Sequence, residues 1–237
     1  MENTRGKLWI FGDSFSYGTG CLPEQDYLTQ YPERRINKGI FPERLADTYK
    51  LQLKNLSFPG RSCQHILEDV IYNIPKFKPE DYLIIGLSDP VRITTWETWP
   101  APHDVVKRVS INHYSCNTDC NPGDLYWNGS TEGMRKSTVD YIVNTLIPYR
   151  EFEEVSYFNL VSTLVKGLTI SKSFLWGATQ WSAYETIYTD TNQKIKDYHF
   201  SWNGHKAFAA DIISKFKIQD RVTLYPHYYD TPKKVFL

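Results

Sequence analysis

Three residue types that together can make a serine nucleophilic stand at the two ends of this chain. Near the amino end an apolar run, Leu8 to Phe11, stops abruptly in Gly12-Asp13-Ser14. That pattern predicts a buried strand that delivers a serine to its carboxyl end, where open α/β sheets place their chemistry. A serine hydroxyl is a weak nucleophile unless a base lies beside it. Near the other end, Asp197-Tyr198-His199-Phe200-Ser201-Trp202-Asn203-Gly204-His205 precedes a helical run from Lys206 to Phe216. His199 is the candidate general base, which must come within about 3 Å of the hydroxyl it deprotonates. Asp197 is the candidate acid that orients it, because residues two apart in an extended segment point the same way.

Two middle segments belong with these ends. Asn55-Leu56-Ser57-Phe58-Pro59-Gly60-Arg61-Ser62 follows a predicted strand and leads into a helix. Ile84-Ile85-Gly86-Leu87-Ser88-Asp89 closes another strand. Taken in order, the four segments resemble the blocks of the GDSL, or SGNH, hydrolase family, and they span residues 7 to about 210. The resemblance implies a serine esterase working on short-chain acyl esters, with O-acetylated carbohydrate as the foremost substrate class and no metal or organic cofactor. It implies an oxyanion hole made by the amides of Ser14 and Gly60 together with a third-block side chain.

The chain departs from the family pattern twice. The third block is normally Gly-x-Asn-Asp, and Ser88 stands where the asparagine is expected. A hydroxyl is shorter and donates one hydrogen bond. The family's aspartate usually lies three residues before the histidine, where this chain has Lys196, so Asp197 is one position late and Asp190 is the fallback. Asn55 is no obvious replacement for the missing amide, because it should close the second strand. Asp89, Arg92 and Trp96 follow Ser88 and are candidate substrate-binding residues. Arg92 could hold an anionic group, though a surface or Asp-paired arginine is the commoner case. The Ser14 segment is not a Gly-x-Ser-x-Gly elbow, since Ser16 occupies the second glycine position.

These residues need a scaffold of alternating strands and helices. Residues 7–12, 51–57, 82–86 and 173–176 read as strands. Pro42 to Tyr49 reads as a helix with proline in its first turn. Ser62 is a plausible N-cap, with Ile66, Leu67, Val70, Ile71 and Ile74 at helical spacing behind it. Met134 to Leu168 is helical in pattern, interrupted at Pro148 and stopped at Gly167. The alternation predicts a three-layer α/β/α sandwich with a mostly parallel central sheet, flavodoxin-like in the family it resembles. Residues 1–237 read as a single domain. An aromatic-rich insertion at about 87–132 reads as a wall over the site with a short hairpin, and the tail from 218 as a surface segment.

Composition bounds the partners. With 237 residues and 41% hydrophobic side chains the chain can bury a sizeable core. Lys and Arg total 27 and so do Asp and Glu, which removes any electrostatic reason to expect nucleic acid. No apolar stretch approaches the roughly 20 residues of a membrane span, and the first strand begins too early for a secretory leader, so a cytoplasmic chain is expected. The four cysteines fit a reducing compartment. Cys116 and Cys120 lack a second ligand pair nearby, which favours free thiols over zinc. Aromatics at 15% can pack a core or line a groove for sugars. Two other functions share the fold: a weakly active or non-catalytic carbohydrate-binding module, motivated by Ser88 and Asp197, and a lipase or thioesterase, which would need a long apolar groove.

Overall fold

The structure is a computed structural model that describes residues 5–18, 39–88, 93–98, 106–111, 150–177, 200 and 202–224. Its centre is a sheet of β1 (Lys7–Phe11), β2 (Gln52–Asn55), β3 (Tyr82–Leu87), β6 (Lys172–Gly177) and β7 (Arg221–Thr223), in the order β2-β1-β3-β6-β7. Every neighbouring pair is parallel. The helices are α1 (Ser14–Tyr17), α2 (Phe41–Tyr49), α3 (Cys63–Asn73), α4 (Arg150–Lys166) and α5 (Trp202–Phe216).

Strand periodicity explains the three layers. Successive side chains of a strand point to opposite faces, and a strand covered on both sides reads as an unbroken apolar run. Leu8 and Ile10 pack with Phe41 and Leu45 of α2 and with Phe208 and Ile212 of α5. Trp9 and Phe11 pack the other way, with Ile66 and Val70 of α3 and Phe158 and Val161 of α4. Ile84 and Phe174 join the first cluster, Ile85 and Leu175 the second. The α/β sandwich with a parallel sheet is therefore as the alternation predicts.

A buried carboxylate fixes how β1 and β3 lie against each other. Asp81 is fully buried and accepts hydrogen bonds from the Lys7 amide (2.7 Å), the Trp9 indole (2.8 Å) and the Lys78 amide (3.0 Å). It pins the amino end of β1 beside that of β3, in the register Leu8 to Tyr82 and Phe11 to Ile85. The carboxyl ends of the two strands consequently open side by side.

Two local readings change, the short hairpin expected in the insertion is present, and the long helix is seen in part. Ile71 is 50% exposed, and the buried face of α3 is made by Cys63, Ile66, Val70 and Asn73. Arg221–Thr223, read as surface tail, is the fifth strand of the sheet, beside β6. The insertion contains an antiparallel ribbon, β4 (Ile93–Thr98) with β5 (Val106–Ile111), in the register Ile93 to Ile111. The long helical pattern is seen from Arg150 to Lys166, and its expected beginning at 134–149 lies outside the described residues.

Candidate active site

Strand order selects the site. From β1 the chain adds β2 on one side, then crosses to place β3 on the other side of β1. Such a reversal leaves a crevice beyond the carboxyl ends of the two flanking strands, where open α/β sheets bind ligands. Ser14 follows β1, Gly60 follows β2 and Ser88 follows β3. Three of the sequence-derived site residues thus emerge at neighbouring strand ends.

Ser14 is held by a tight backbone turn. Asp13 accepts the Phe15 amide on its carboxylate (3.1 Å) and the Tyr17 amide on its carbonyl (3.0 Å), and the Gly18 amide returns to the Ser14 carbonyl (3.0 Å). Asp13 is thereby an N-cap to the single turn that Ser14 begins. Gly12 is required by close approach: a Cβ there would lie 2.5 Å from the Ser16 hydroxyl oxygen. Ser14 itself is 8% exposed.

Gly60 sits in a turn of matching chemistry. The Arg61 amide closes it onto the Phe58 carbonyl (3.4 Å), Pro59 is its second residue, and Gly60 has φ +82°, the value a type II turn demands at its third. The turn is sewn to the exit of β1. The Leu56 amide donates to the Ile10 carbonyl (2.8 Å) and the Phe58 amide to the Gly12 carbonyl (3.1 Å). Asn55 does close β2, as expected, and its side-chain amide is engaged with the Ser16 carbonyl (3.0 Å) while its side-chain oxygen takes the Ser57 amide (3.0 Å).

Ser88 is 2% exposed and faces the start of α3. The Cys63 thiol donates to the Ser88 carbonyl (3.1 Å) and lies 3.9 Å from its hydroxyl. Tyr157 of α4 lies close enough to Cys63 to feel it. Burial first, then Cys63, Glu153 and Glu68, push its phenol up to about 12, so it stays neutral there. Arg61 forms an ion pair with Asp69.

His199, Asp197, Asp190, Asp89 and Arg92 lie outside the described residues. Trp96 is in β4, and its side chain is likewise outside them. The neighbour of His199 is described. Phe200 is 1% exposed, and its ring meets that of Phe15 at 5.3 Å between centroids, edge to face, and stacks on Trp176 at 5.8 Å. His205 is a packing residue: fully buried, stacked on Phe41, and accepting the Phe41 amide at Nδ1 (3.3 Å). Among the described residues no group of three His, Cys, Asp or Glu side chains is arranged to hold a metal, and no helix is long and apolar enough to cross a membrane.

Sequence reasoning did not single out Cys63, Phe58 or the Phe15–Phe200 contact. For Cys63 a signal existed: it directly follows Ser62, which caps α3 by accepting the His65 amide (3.2 Å), and so it opens a helix that starts beyond the carboxyl end of β2. Contacts between residues far apart in sequence leave no such trace.

No family model matches the chain, and no curated protein does. Solved structures do. A carbohydrate esterase matches at 13% identity and TM-score 0.41, over 92% of this chain and 67% of that one. A lipolytic protein of the G-D-S-L family from Desulfitobacterium hafniense matches at 14% and 0.34, over 94% and 77%. A phospholipase A1 from Streptomyces albidoflavus matches at 13% and 0.37, over 92% and 78%. Superpositions at these scores position no residue of the site.

Proposed function

We propose that the chain is a serine ester hydrolase of the GDSL/SGNH type, acting on short-chain acyl esters, foremost acetyl groups on carbohydrate. The observation that carries the reading is the ring contact between Phe15 and Phe200 at 5.3 Å. Phe15 follows Ser14 and Phe200 follows His199. Consecutive Cα atoms are about 3.8 Å apart, so a contact between these two rings supports a base within reach of the nucleophile. The convergence of Ser14, Gly60 and Ser88 on the crevice supports the rest.

In this reading the Ser14 hydroxyl oxygen attacks the ester carbonyl carbon while His199 takes its proton. Asp197 holds the imidazole in the needed tautomer. The negative oxygen of the tetrahedral intermediate is met by the Ser14 and Gly60 amides with help from Ser88. His199 returns the proton to the leaving alcohol, the acyl group remains on Ser14, and water repeats the cycle to release the acid. The hydrophobic cluster behind Phe15 keeps the nucleophile turn from yielding.

The test is labelling by a fluorophosphonate, read by intact mass. One-to-one labelling of the native chain that vanishes in Ser14→Ala supports the reading. No labelling, together with p-nitrophenyl acetate hydrolysis equal to that of Ser14→Ala, defeats it. One observation favours a slower protein: Ser88 offers a hydroxyl where an asparagine amide is expected, and it is 2% exposed beside Cys63. Removing one oxyanion donor typically lowers kcat by about 10²–10³. A weakly active carbohydrate-binding module is the corresponding second reading.

A further inference from the structure

Phe58 is 58% exposed, yet nothing about its backbone is loose. Its amide donates to the Gly12 carbonyl (3.1 Å) and its carbonyl accepts the Arg61 amide (3.4 Å). Its ring is backed by Tyr17, edge to face, with centroids 6.0 Å apart. Tyr17 closes the turn that Ser14 begins, and Gly60 lies two residues past Phe58. A rigidly mounted aromatic ring therefore stands on the rim between the candidate nucleophile and a candidate oxyanion amide. A large apolar side chain left in water at such a place points to a ligand that covers it.

We propose that Phe58, supported by Tyr17, is the platform on which a sugar ring of the substrate stacks, so that the alcohol half of the ester is an acylated pyranoside. The proposal rests on the ester-hydrolase reading of Ser14. Two observations select a sugar over an acyl chain. The ring is open outward, and among the described residues no atom lies within 4 Å of where a Cβ on the adjoining Gly60 would be, so the described rim is open at both positions. A flexible acyl chain must be enclosed so that apolar burial offsets the rotamer freedom it loses, and an open shelf buries too little of it. A pyranose is already rigid. Its axial C–H face can cover an aromatic ring while its hydroxyl edge stays in water, which an open shelf allows. Reach allows it: two residues span at most about 7 Å, so a sugar whose ester carbonyl is held at Gly60 can meet the Phe58 ring.

Two measurements test this. Binding of xylotetraose to Ser14→Ala, by calorimetry, should weaken roughly tenfold when Phe58→Ala is added and recover in Phe58→Trp. In the native background, the ratio of kcat/KM for acetylated methyl xyloside to that for vinyl acetate should fall by a similar factor in Phe58→Ala. Melting temperatures establish that each variant is folded. Unchanged sugar binding, an unchanged ratio, or a loss confined to vinyl octanoate overturns the platform, the last by assigning the ring to the acyl chain. A native chain that hydrolyses no ester but binds xylotetraose through Phe58 removes the hydrolase and keeps the platform. Hydrolysis that ignores Phe58 does the reverse.

Discussion

The Cys63 thiol donates a hydrogen bond to the Ser88 carbonyl across 3.1 Å, joining the first residue of α3 to the first residue beyond β3. Both residues are 2% exposed, so water cannot replace the bond. Gly60 lies three residues before Cys63, and the bond thereby ties two candidate oxyanion positions into one unit. Cys63→Ala should leave a buried acceptor unmatched and cost about 1–3 kcal/mol in urea denaturation. It should also lower kcat for a small ester more than it raises KM, because it loosens the oxyanion side and not the substrate. Cys63→Ser, which retains a donor, should recover much of both losses.

Two glycines should respond differently to the same methyl group. Gly60→Ala meets no atom within 4 Å, so its cost is the strain of a side chain at φ +82°, about 1–2 kcal/mol. At Gly12 the added Cβ would lie 2.5 Å from the Ser16 hydroxyl oxygen and 2.8 Å from the Ser16 Cβ. Both contacts are to one short, buried side chain, so the turn carrying Ser14 must shift. Gly12→Ala should be the more destabilised of the two in denaturant titration.

Asp81 controls the opposite end of the same strands. Its carboxylate takes three donors in a fully buried place. Asp81→Ala would strand the Trp9 indole and two amides at once and should cost about 3 kcal/mol or more. Asp81→Asn keeps the shape but turns one acceptor into a donor facing donors, and should lose a comparable share. Chemical denaturation of the two variants checks both.

Burial first, with Cys63, Glu153 and Glu68 adding to it, pushes the Tyr157 phenol from 10.0 to about 12. The folded chain therefore holds that proton more tightly than the unfolded chain does. The stability involved is fully present below pH 10 and is lost as pH rises toward 12. Tyrosinate absorbance should show a late-titrating phenol that Tyr157→Phe removes, and the same substitution should flatten the decline of stability across that interval.

Much of this was legible because it is local. β1, β3 and β6 are buried on both faces and so appear as unbroken apolar runs, and Ser62 caps α3 by a rule that spans three residues. Ser14, Gly60 and Ser88 could be found because each follows such a strand. β7 escaped notice because three residues with only Val222 buried carry no period. Helical spacing groups Ile71 with Ile66 and Val70, yet Ile71 is exposed, while Cys63 and Asn73 complete the buried face. The bonds and rings that join the site, Cys63 to Ser88 and Phe15 to Phe200, connect residues whose separation no local pattern records.

Phe200 offers the sharpest division between packing and chemistry. Its ring touches Phe15 (5.3 Å), Trp176 (5.8 Å) and Phe208 (5.2 Å) and is 1% exposed. Phe200→Ala should cost about 3–5 kcal/mol, enough to confuse unfolding with inactivity. Phe200→Leu keeps most of the volume and should cost less than about 1.5 kcal/mol. If His199 is the base, a small shift at residue 200 changes the geometry of proton transfer, and misplacement of about 1 Å can cost 10²-fold. Phe208 is fully buried in the same cluster but follows no candidate catalytic residue. Phe200→Leu should therefore lower kcat at least tenfold at similar KM, and Phe208→Leu, matched for stability loss, should lower it far less. Equal losses in the two variants would mean that the cluster supports the fold alone and that the base lies elsewhere.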